Sequence, residues 1–309
     1  MTERPRLTLD QLRVFVAVAE RQHVTRAAEA LNLAQSAASA AIAALEGRHH
    51  IRLFRRAGRG IVLTEAGEAF LPEARAVLAR AEAAEAVLDD IVGLRRGRLA
   101  LHASQTIAAY WLPRHLAAFR AAYPGVALHL TIGNTGQAAA AVRGGLVELG
   151  LVEGAVHDPL LETIPLARDQ LLLVVPPDHK LARLGQVTAK DLRGCDWVLR
   201  EPGSGTRSAF EAVLLRLGLS LPALRVVQEL PSNETVRAAV EAGMGVTVLS
   251  ASVVAPSIEA GLLVRAPLDL PARPYLALRR RDRPPSRAAE ALLALVMSSR
   301  SKARGSAPG

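Results

Sequence analysis

Apolar positions between residues 8 and 19 recur at helical spacing: Leu12, Phe15, Val16 and Ala19 share one face. Thr8 with Gln11 three residues later forms a capping-box pattern at the start of that helix. A second, short helix is predicted over 26–31 with Thr25 as its N-cap, and Asn32 and Leu33 make the turn that ends it. A third helix is predicted over 35–47. Ala38, Ile42 and Leu45 take its inner face at i, i+4 and i+7, which leaves Gln35, Ser36, Ser39, Ala40 and Ala43 outside. Two strand-like pieces follow, 51–56 and 61–63, joined by a tight Ala57-Gly58-Arg59-Gly60 turn.

Three helices and a basic hairpin over 1–64 make a winged helix-turn-helix arrangement. From 65 to 94 the pattern changes to heptads. Phe70, Val77, Ala84 and Ile91 repeat every seven residues, as do Gly67, Ala74, Ala81 and Leu88, offset by four. Thr64 is the N-cap of this long helix, and Pro72 weakens or bends it near its start. Such a seam suits a dimer; packing on the chain's own domain is the alternative. Residues 65–96 are therefore read as a linker and dimerisation segment.

From 97 to 297, strand-like and helix-like segments alternate. Strands are predicted near 99–103, 126–132, 149–152, 171–175, 197–199, 226–228, 246–249 and 275–279. This is an α/β pattern with a mainly parallel sheet. About 200 residues exceed what one small sheet needs, which favours two lobes; the crossovers between them are expected near 167–170 and 264–274. The tail 298–309 is rich in Ser, Gly, Pro and basic residues and reads as disordered.

Composition narrows the picture modestly. The formal net charge is +9, which favours polyanions such as nucleic acid. Lys appears only at positions 180, 190 and 302, so the Arg bias also fits genome composition. The lone Cys195 excludes an internal disulfide framework, and no Cys/His cluster has zinc spacing. No secretory signal or long apolar run is evident, so a cytoplasmic protein with no membrane association is expected.

In a helix-turn-helix unit, N-terminal residues of the third helix meet base edges in the major groove. Gln pairs with adenine through two hydrogen bonds, and Ser pairs with donors or acceptors. Gln35, Ser36 and Ser39 occupy these turns, and their small neighbours allow close approach. Thr25 and Arg26 at the start of the second helix, with Arg55, Arg56 and Arg59 in the hairpin, complete the set of candidate DNA contacts.

The fragments LDQLRVFVAVAE, VTRAAEALNLAQSAAS, IAALE, LFRR and VLTEAG resemble the DNA-binding domain of LysR-type transcriptional regulators. ASQTIAAYWLPRHLAAFRAAYPGV, VELGLVEG, REPGSGTR and ELPSNETVRAAVEAGMGVTVLS resemble that family's effector domain. The ordered set covers nearly the whole chain. The resemblance implies a winged helix, a dimerising linker helix and a two-lobed effector domain similar to periplasmic binding proteins. It also implies homodimers assembling to homotetramers on promoter DNA, with RNA polymerase as a further partner. Two positions depart from the family pattern. Ala34 stands where Ser or Thr often caps the recognition helix, at a cost of about 1 kcal/mol. Ala40 stands where Arg often contacts phosphate, so affinity leans on the hairpin arginines and on avidity.

Three polar stretches lie beside predicted helix starts: Ser104-Gln105-Thr106, Ser204-Gly205-Thr206-Arg207 and Ser232-Asn233-Glu234. Helix N-termini with hydroxyls suit anions, although ordinary capping explains any one of them. By resemblance, Ser104, Gln105, Thr106, Asn134, Thr135, Ser204 and Thr206 line an effector cleft between lobes, with Glu153 and Thr247 as weaker candidates. The family usually has Gly at His102, which here alters the pocket or faces solvent or core. Arg207 binds an anion or makes a surface ion pair. Cys195 reads as packing. ASQTIAAYWLP is most similar to the subgroup controlling sulfur assimilation and carbon fixation, which implies a small anionic metabolite as effector and no other cofactor.

A solute-binding protein and an enzyme are the competing readings. The fused helix-turn-helix and absent signal argue against the first. Against the second, no G-x-S-x-G elbow, phosphate loop or dinucleotide fingerprint is present; Ser104, His102 and Asp158 form a triad only on paper.

Overall fold

The computed structural model of the protein describes residues 7–58, 60–92 and 97–305. It divides into two compact units, Met1–Leu88 and Asp89–Gly309.

The first unit holds α1 (Leu9–Arg21), α2 (Val24–Ala30), α3 (Gln35–His49), β1 (Phe54–Ala57), β2 (Gly60–Leu63) and most of α4 (Glu65–Val92). The capping box of Thr8 and Gln11 forms at the start of α1. The expected Thr25 cap does not. Gln22 ends α1 in the left-handed region with φ 51°, leaving His23 as the extended residue before α2. His23 Nδ1 accepts the Arg26 N–H at 3.5 Å, and Thr25 lies inside the first turn. Asn32, with φ 55°, makes the turn into α3, a conformation Asn tolerates better than most residues.

Small residues set the spacing. Ala27 and Ala28 of α2 and Ala38 of α3 are buried against Val14, Ala17 and Val18 of α1. A second cluster joins Leu12, Phe15, Leu45 and Leu53 to Ala74. The Phe15 ring meets Phe54 at 5.3 Å and Phe70 at 5.0 Å. The hairpin ladder starts at Phe54 rather than at residue 51, because the Leu53 N–H goes instead to Glu46 Oε1 at 2.8 Å. Glu46 is buried, also accepts the Phe54 N–H at 3.2 Å, and pairs with Arg52 at 2.9 Å. One carboxylate thus ties the end of α3 to the start of the wing.

Thr64 caps α4, its Oγ1 accepting the Gly67 N–H at 3.1 Å. Gly67 is required by close approach: a Cβ there would lie 2.8 Å from Leu63 Cδ2 and closer still to the Leu53 carbonyl. Gly67, Phe70 and Ala74, the first half of the heptad seam, are therefore used within the chain's own unit. Val77 is 43% exposed and Ala84 is exposed, so these two seam positions are not used in that packing. The side chains of Leu88 and Ile91 lie outside the described residues. Pro72 sits in the interior of α4, where the packing of Phe70, Leu71 and Ala74 offsets its missing N–H.

The second unit holds two lobes. The first contains β3 (Gly97–Ser104), a π-helical turn (Ile107–Trp111), α5 (Leu112–Ala122), β4 (Val126–Gly133), α6 (Thr135–Arg143), β5 (Leu149–Glu153) and β6 (Leu161–Asp169). The second contains β7 (Leu171–Val175), α7 (Ala189–Arg193), β8 (Asp196–Arg200), α8 (Gly205–Arg216), β9 (Arg225–Leu230), α9 (Asn233–Glu241), β10 (Thr247–Ser250), α10 (Ala251–Glu259) and β11 (Val264–Ala266). The chain then returns through β12 (Arg273–Arg280) and α11 (Arg287–Gly305) to the first lobe.

The sheets are mixed, not mainly parallel. The first runs β4-β3-β5-β12-β6, with β12 antiparallel to both neighbours. The second places β7 antiparallel to β10 and β11, while β8 and β9 pair in parallel. Val246 hydrogen-bonds Val198 and Asp196, which joins the latter pair to β10. The reason is the double crossing. A strand returning from the second lobe enters the first at the end where β3, β4 and β5 finish, so it must run against them. Two strands escaped the hydrophobic pattern. β6 carries Pro165, which argues against a strand, but β6 is an edge strand, where Pro is tolerated. β11 is only three residues long.

Leu99, Leu101 and Ala103 of β3 face the first lobe's main core with Phe119, Trp111 and Leu292. In the second lobe Trp197 stacks on Phe210 at 4.7 Å. Cys195 is buried there with its Sγ 3.2 Å from the Asp191 carbonyl, and burial pushes its thiol pKa up, so it is packing. The expected irregular tail is corrected from Ser298 to Gly305, which continue α11. Leu292, Leu293 and Val296 fasten that helix to the lobe, and no breaker interrupts it before Gly305. The disorder expected for 306–309 falls outside the described residues. Among the described residues, no helix is long and apolar enough to cross a membrane.

Removing the Glu46 carboxylate leaves two backbone N–H groups unpaired. Glu46→Ala is expected to destabilise the first unit by about 1–3 kcal/mol. Hydrogen exchange at the Leu53 and Phe54 amides checks this: both should lose protection, while the second unit's amides keep theirs.

Candidate functional site

In the first unit, the inner face of α3 is taken by Ala38, Leu45 and Glu46, which turns Gln35, Ser36 and Ser39 outward. All three are exposed, as are Ala40 and Ala43. Thr25 and Arg26 are exposed on α2, and Arg55 and Arg56 on β1. Arg59 lies outside the described residues. Ala34 occupies the N-cap of α3 with extended backbone and no side-chain hydrogen bond to the helix. The N-cap side chain therefore satisfies none of the backbone donors in the first turn of α3.

In the second unit, the polar loops from both lobes meet. Ser104 ends β3 and donates to Glu153 Oε2 at the end of β5. Thr135 Oγ1 donates to the Glu153 carbonyl at 3.1 Å. Asn134 caps α6, accepting the Gln137 N–H at 2.9 Å, while its Nδ2 donates across the seam to Glu201 Oε1 at 3.1 Å. The Gly136 N–H donates to the Gly203 carbonyl at 3.1 Å. Gln105 binds the other lobe twice: its Nε2 donates to the Pro231 carbonyl at 2.7 Å, and its Oε1 accepts the Asn233 N–H at 3.1 Å. Thr106 Oγ1 accepts from Asn233 Nδ2 at 3.0 Å. Ser204 caps α8 and is buried, with Thr206 beside it. Eight of the nine predicted effector residues thus border one seam.

Thr247 stands apart from them. It is buried in β10 opposite Val174, and its hydroxyl has no hydrogen-bond partner among the described residues. His102 packs on the side of β3 away from the main core, against Gly133: a Cβ at 133 would lie 2.6 Å from its Nε2. Burial lowers its pKa, which keeps the imidazole neutral. Arg207 pairs with Glu211 at 2.9 Å and Glu229 at 2.5 Å, so the ion-pair alternative holds.

The charges that organise the seam were not singled out from the sequence. Arg273, at the start of β12, donates Nε to Asp169 Oδ2 at 2.8 Å and Nη1 to Thr206 Oγ1 at 3.0 Å. Its Nη2 lies 3.8 Å from Glu153 Oε1. Asp169, at the end of β6, also accepts from Ser250 at 2.6 Å. Burial and then the Asp169 charge push the Tyr275 phenol pKa up beside this cluster, so the ring stays neutral. Arg200, at the end of β8, binds Glu201 and Asn233. The available signal was a charged residue abutting an apolar strand at each crossing: Arg168 and Asp169 before LLLVV, and Arg273 before PYLAL.

Glycine permits the lobes to touch. A Cβ at Gly205 would lie 2.6 Å from Thr135 Oγ1 and closer still to the Glu153 carbonyl oxygen. Gly205→Ala is expected to wedge the N-terminus of α8 away from β5 and to cost about 1–3 kcal/mol. Both tryptophans, Trp111 and Trp197, lie in this unit, so their fluorescence should report melting lower by roughly 2–10 °C.

Comparison with known proteins places both halves. Residues 9–68 match the model of bacterial regulatory helix-turn-helix proteins of the lysR family, and residues 93–300 match the LysR substrate binding domain. The uncharacterized HTH-type transcriptional regulator YeiE of Escherichia coli K12 is 36% identical over 265 residues, covering 86% of this chain and 88% of that protein. A probable RuBisCO transcriptional regulator of Cyanidioschyzon merolae is 35% identical, covering 85% and 88%. Among solved structures, the LysR family transcriptional regulator CbnR superposes with a TM-score of 0.70 at 21% identity, covering 95% of this chain and 99% of that one. The regulatory domain of Synechocystis CcmR, in complex with 2-PG, gives 0.60 at 26% identity, covering 66% and 97%. The chain belongs to the LysR family of transcriptional regulators, with a helix-turn-helix DNA-binding domain and an effector-binding domain.

Proposed function

We propose that this regulator reads a specific promoter sequence through Gln35, Ser36 and Ser39, and that a small anionic effector between the lobes controls it. Thr25, Arg26, Arg55, Arg56 and Arg59 hold phosphates or the minor groove and fix the register. The protein acts as a homodimer assembling to a homotetramer in the cytoplasm, with RNA polymerase as a partner. It needs no cofactor besides the effector and catalyses no reaction.

The observation that carries the effector half is the meeting of Ser104, Thr106, Asn134, Thr135, Ser204 and Thr206 at one seam, with Arg200 and Arg273 buried beside it. Helix N-termini from both lobes and two guanidinium groups suit an anion. The CcmR domain carries 2-PG, so 2-PG is the first compound to titrate here. A ligand bound better by one lobe arrangement than by another shifts the balance between them, and only that differential affinity transmits the signal.

Fluorescence anisotropy on the DNA upstream of the protein's own gene, with random DNA as competitor and a salt series, tests the reading. Gln35→Ala is expected to weaken specific binding by about 1–3 kcal/mol, the worth of one bidentate base contact, and Ser39→Ala by less. Binding to random DNA should be unchanged by either. Equal, steeply salt-dependent binding to both DNAs would defeat the proposal, since it would leave only charge at work. Ala34→Ser restores a cap and is expected to stabilise the first unit by about 1 kcal/mol while leaving the base preference intact. Calorimetric melting and the same anisotropy assay check the two halves of that expectation.

A further inference from the structure

Arg200 is the last residue of β8, and Glu201 is the first beyond it. The Arg200 guanidinium is 3% exposed. Its Nε donates to Glu201 Oε2 at 2.8 Å and its Nη2 to Oε1 at 3.0 Å, while Nη1 donates to Asn233 Oδ1. Neighbouring side chains of a strand point to opposite faces. The fork forms because the chain turns out of β8 at Glu201 and folds the carboxylate back over Arg200.

From the facing lobe, Asn134 Nδ2 donates to the same carboxylate. Glu201 therefore receives a bidentate guanidinium fork and an amide donor from across the seam. These are the donors that a carboxylate or phosphoryl ligand in the seam would need. Burial opposes ionisation of Glu201, but the hydrogen bonds from Arg200 and Asn134 outweigh it and hold the carboxyl below the usual range. The group is charged at neutral pH.

The other carboxylates of the seam are fixed. Asp169 is 3% exposed, pairs with Arg273 and also accepts from Ser250. Glu153 is equally buried, held by Ser104. Glu201 is 25% exposed and has an open path to water. With Glu201 in place, two cations, Arg200 and Arg273, face three carboxylates, and an added anion is repelled. With Glu201 swung out, Arg200 faces Asn134 without a counter-ion.

We propose that Glu201 is a tethered self-ligand: its carboxylate fills the anion subsite on Arg200 in the ligand-free protein, and the effector binds by displacing it. This rests on the anionic-effector reading above. The tether also sets selectivity. Glu201 competes at an effective concentration in the millimolar range or higher, so a simple monoanion gains little over it. A ligand with a doubly charged group, or with further contacts along the seam, wins.

The test is calorimetric titration of the full-length protein with inorganic phosphate, 2-PG and acetate, in wild type, Glu201→Gln and Arg200→Gln. Gln keeps the shape and the Asn134 contact but gives up the charge. Phosphate and 2-PG are expected to bind Glu201→Gln about tenfold tighter or more, as when an intramolecular competitor is removed. The preference for phosphate over acetate should narrow, and Arg200→Gln should abolish the gain. If Arg200→Gln does not fold, Arg200→Lys keeps the charge without the fork and should lose the gain likewise. Anion binding that depends on Arg200 yet is unchanged or weaker in Glu201→Gln overturns the self-ligand and leaves the anionic reading standing. Absence of anion binding in both wild type and Glu201→Gln overturns both.

Discussion

The pairing of Arg273 with Asp169 is the constraint on which the second unit turns. The two residues sit on the two strands that carry the chain between lobes, one at the end of β6 and one at the start of β12. Their register places them directly opposite each other in the sheet. A guanidinium this deeply buried must have its donors satisfied, and leaving it alone costs about 3–5 kcal/mol. Asp169 satisfies part of that need. Thr206, from the second lobe, satisfies more. The same cation therefore fastens the crossing strands and reaches the N-terminus of α8, so the hinge and the seam are one electrostatic object.

The seam follows from that arrangement. Helices α6, α8 and α9 begin where strands end, and each is capped by a side chain whose neighbours then bridge the lobes. The groups that cap these helices are also the ones on which the proposed effector reading draws, since a hydroxyl or amide that closes a helix lies where the lobes meet. Gly136, Gly203 and Gly205 let the two backbones come within hydrogen-bonding or contact distance. Polar side chains and bare backbone alternate along the line of contact.

The first unit solves a different problem with similar economy. Its helices approach closely because Ala27, Ala28 and Ala38 fill the space between them. That leaves the outer turns of α3 with few polar side chains, and Gln35, Ser36 and Ser39 stand among alanines. Glu46 then fixes the end of α3 to the wing, so the helix and the hairpin arginines move together.

Periodicity and turn chemistry determined much of this from the sequence alone. The order of helices and hairpin, the capping box at Thr8 and the strands other than β6 and β11 rest on local spacing, whereas the missing cap at Ala34 stood out only against the family pattern. The polar stretches at 104–106, 204–207 and 232–234 are legible in the same way, since Ser, Thr and Asn before a helix announce themselves within four residues; their role in an effector cleft is what the resemblance implies. The tertiary structure decided what local spacing does not encode. Strand direction at β12 depends on which end of the sheet the returning chain reaches. The first half of the heptad seam turned inward because Gly67 and Ala74 meet the wing, a contact made by residues distant in sequence. The pairing of Asp169 with Arg273, 104 residues apart in the chain, was hidden for the same reason. A charge in a sequence carries no label for the counter-charge it meets, and burial, which makes that meeting obligatory, exists only once the chain has folded.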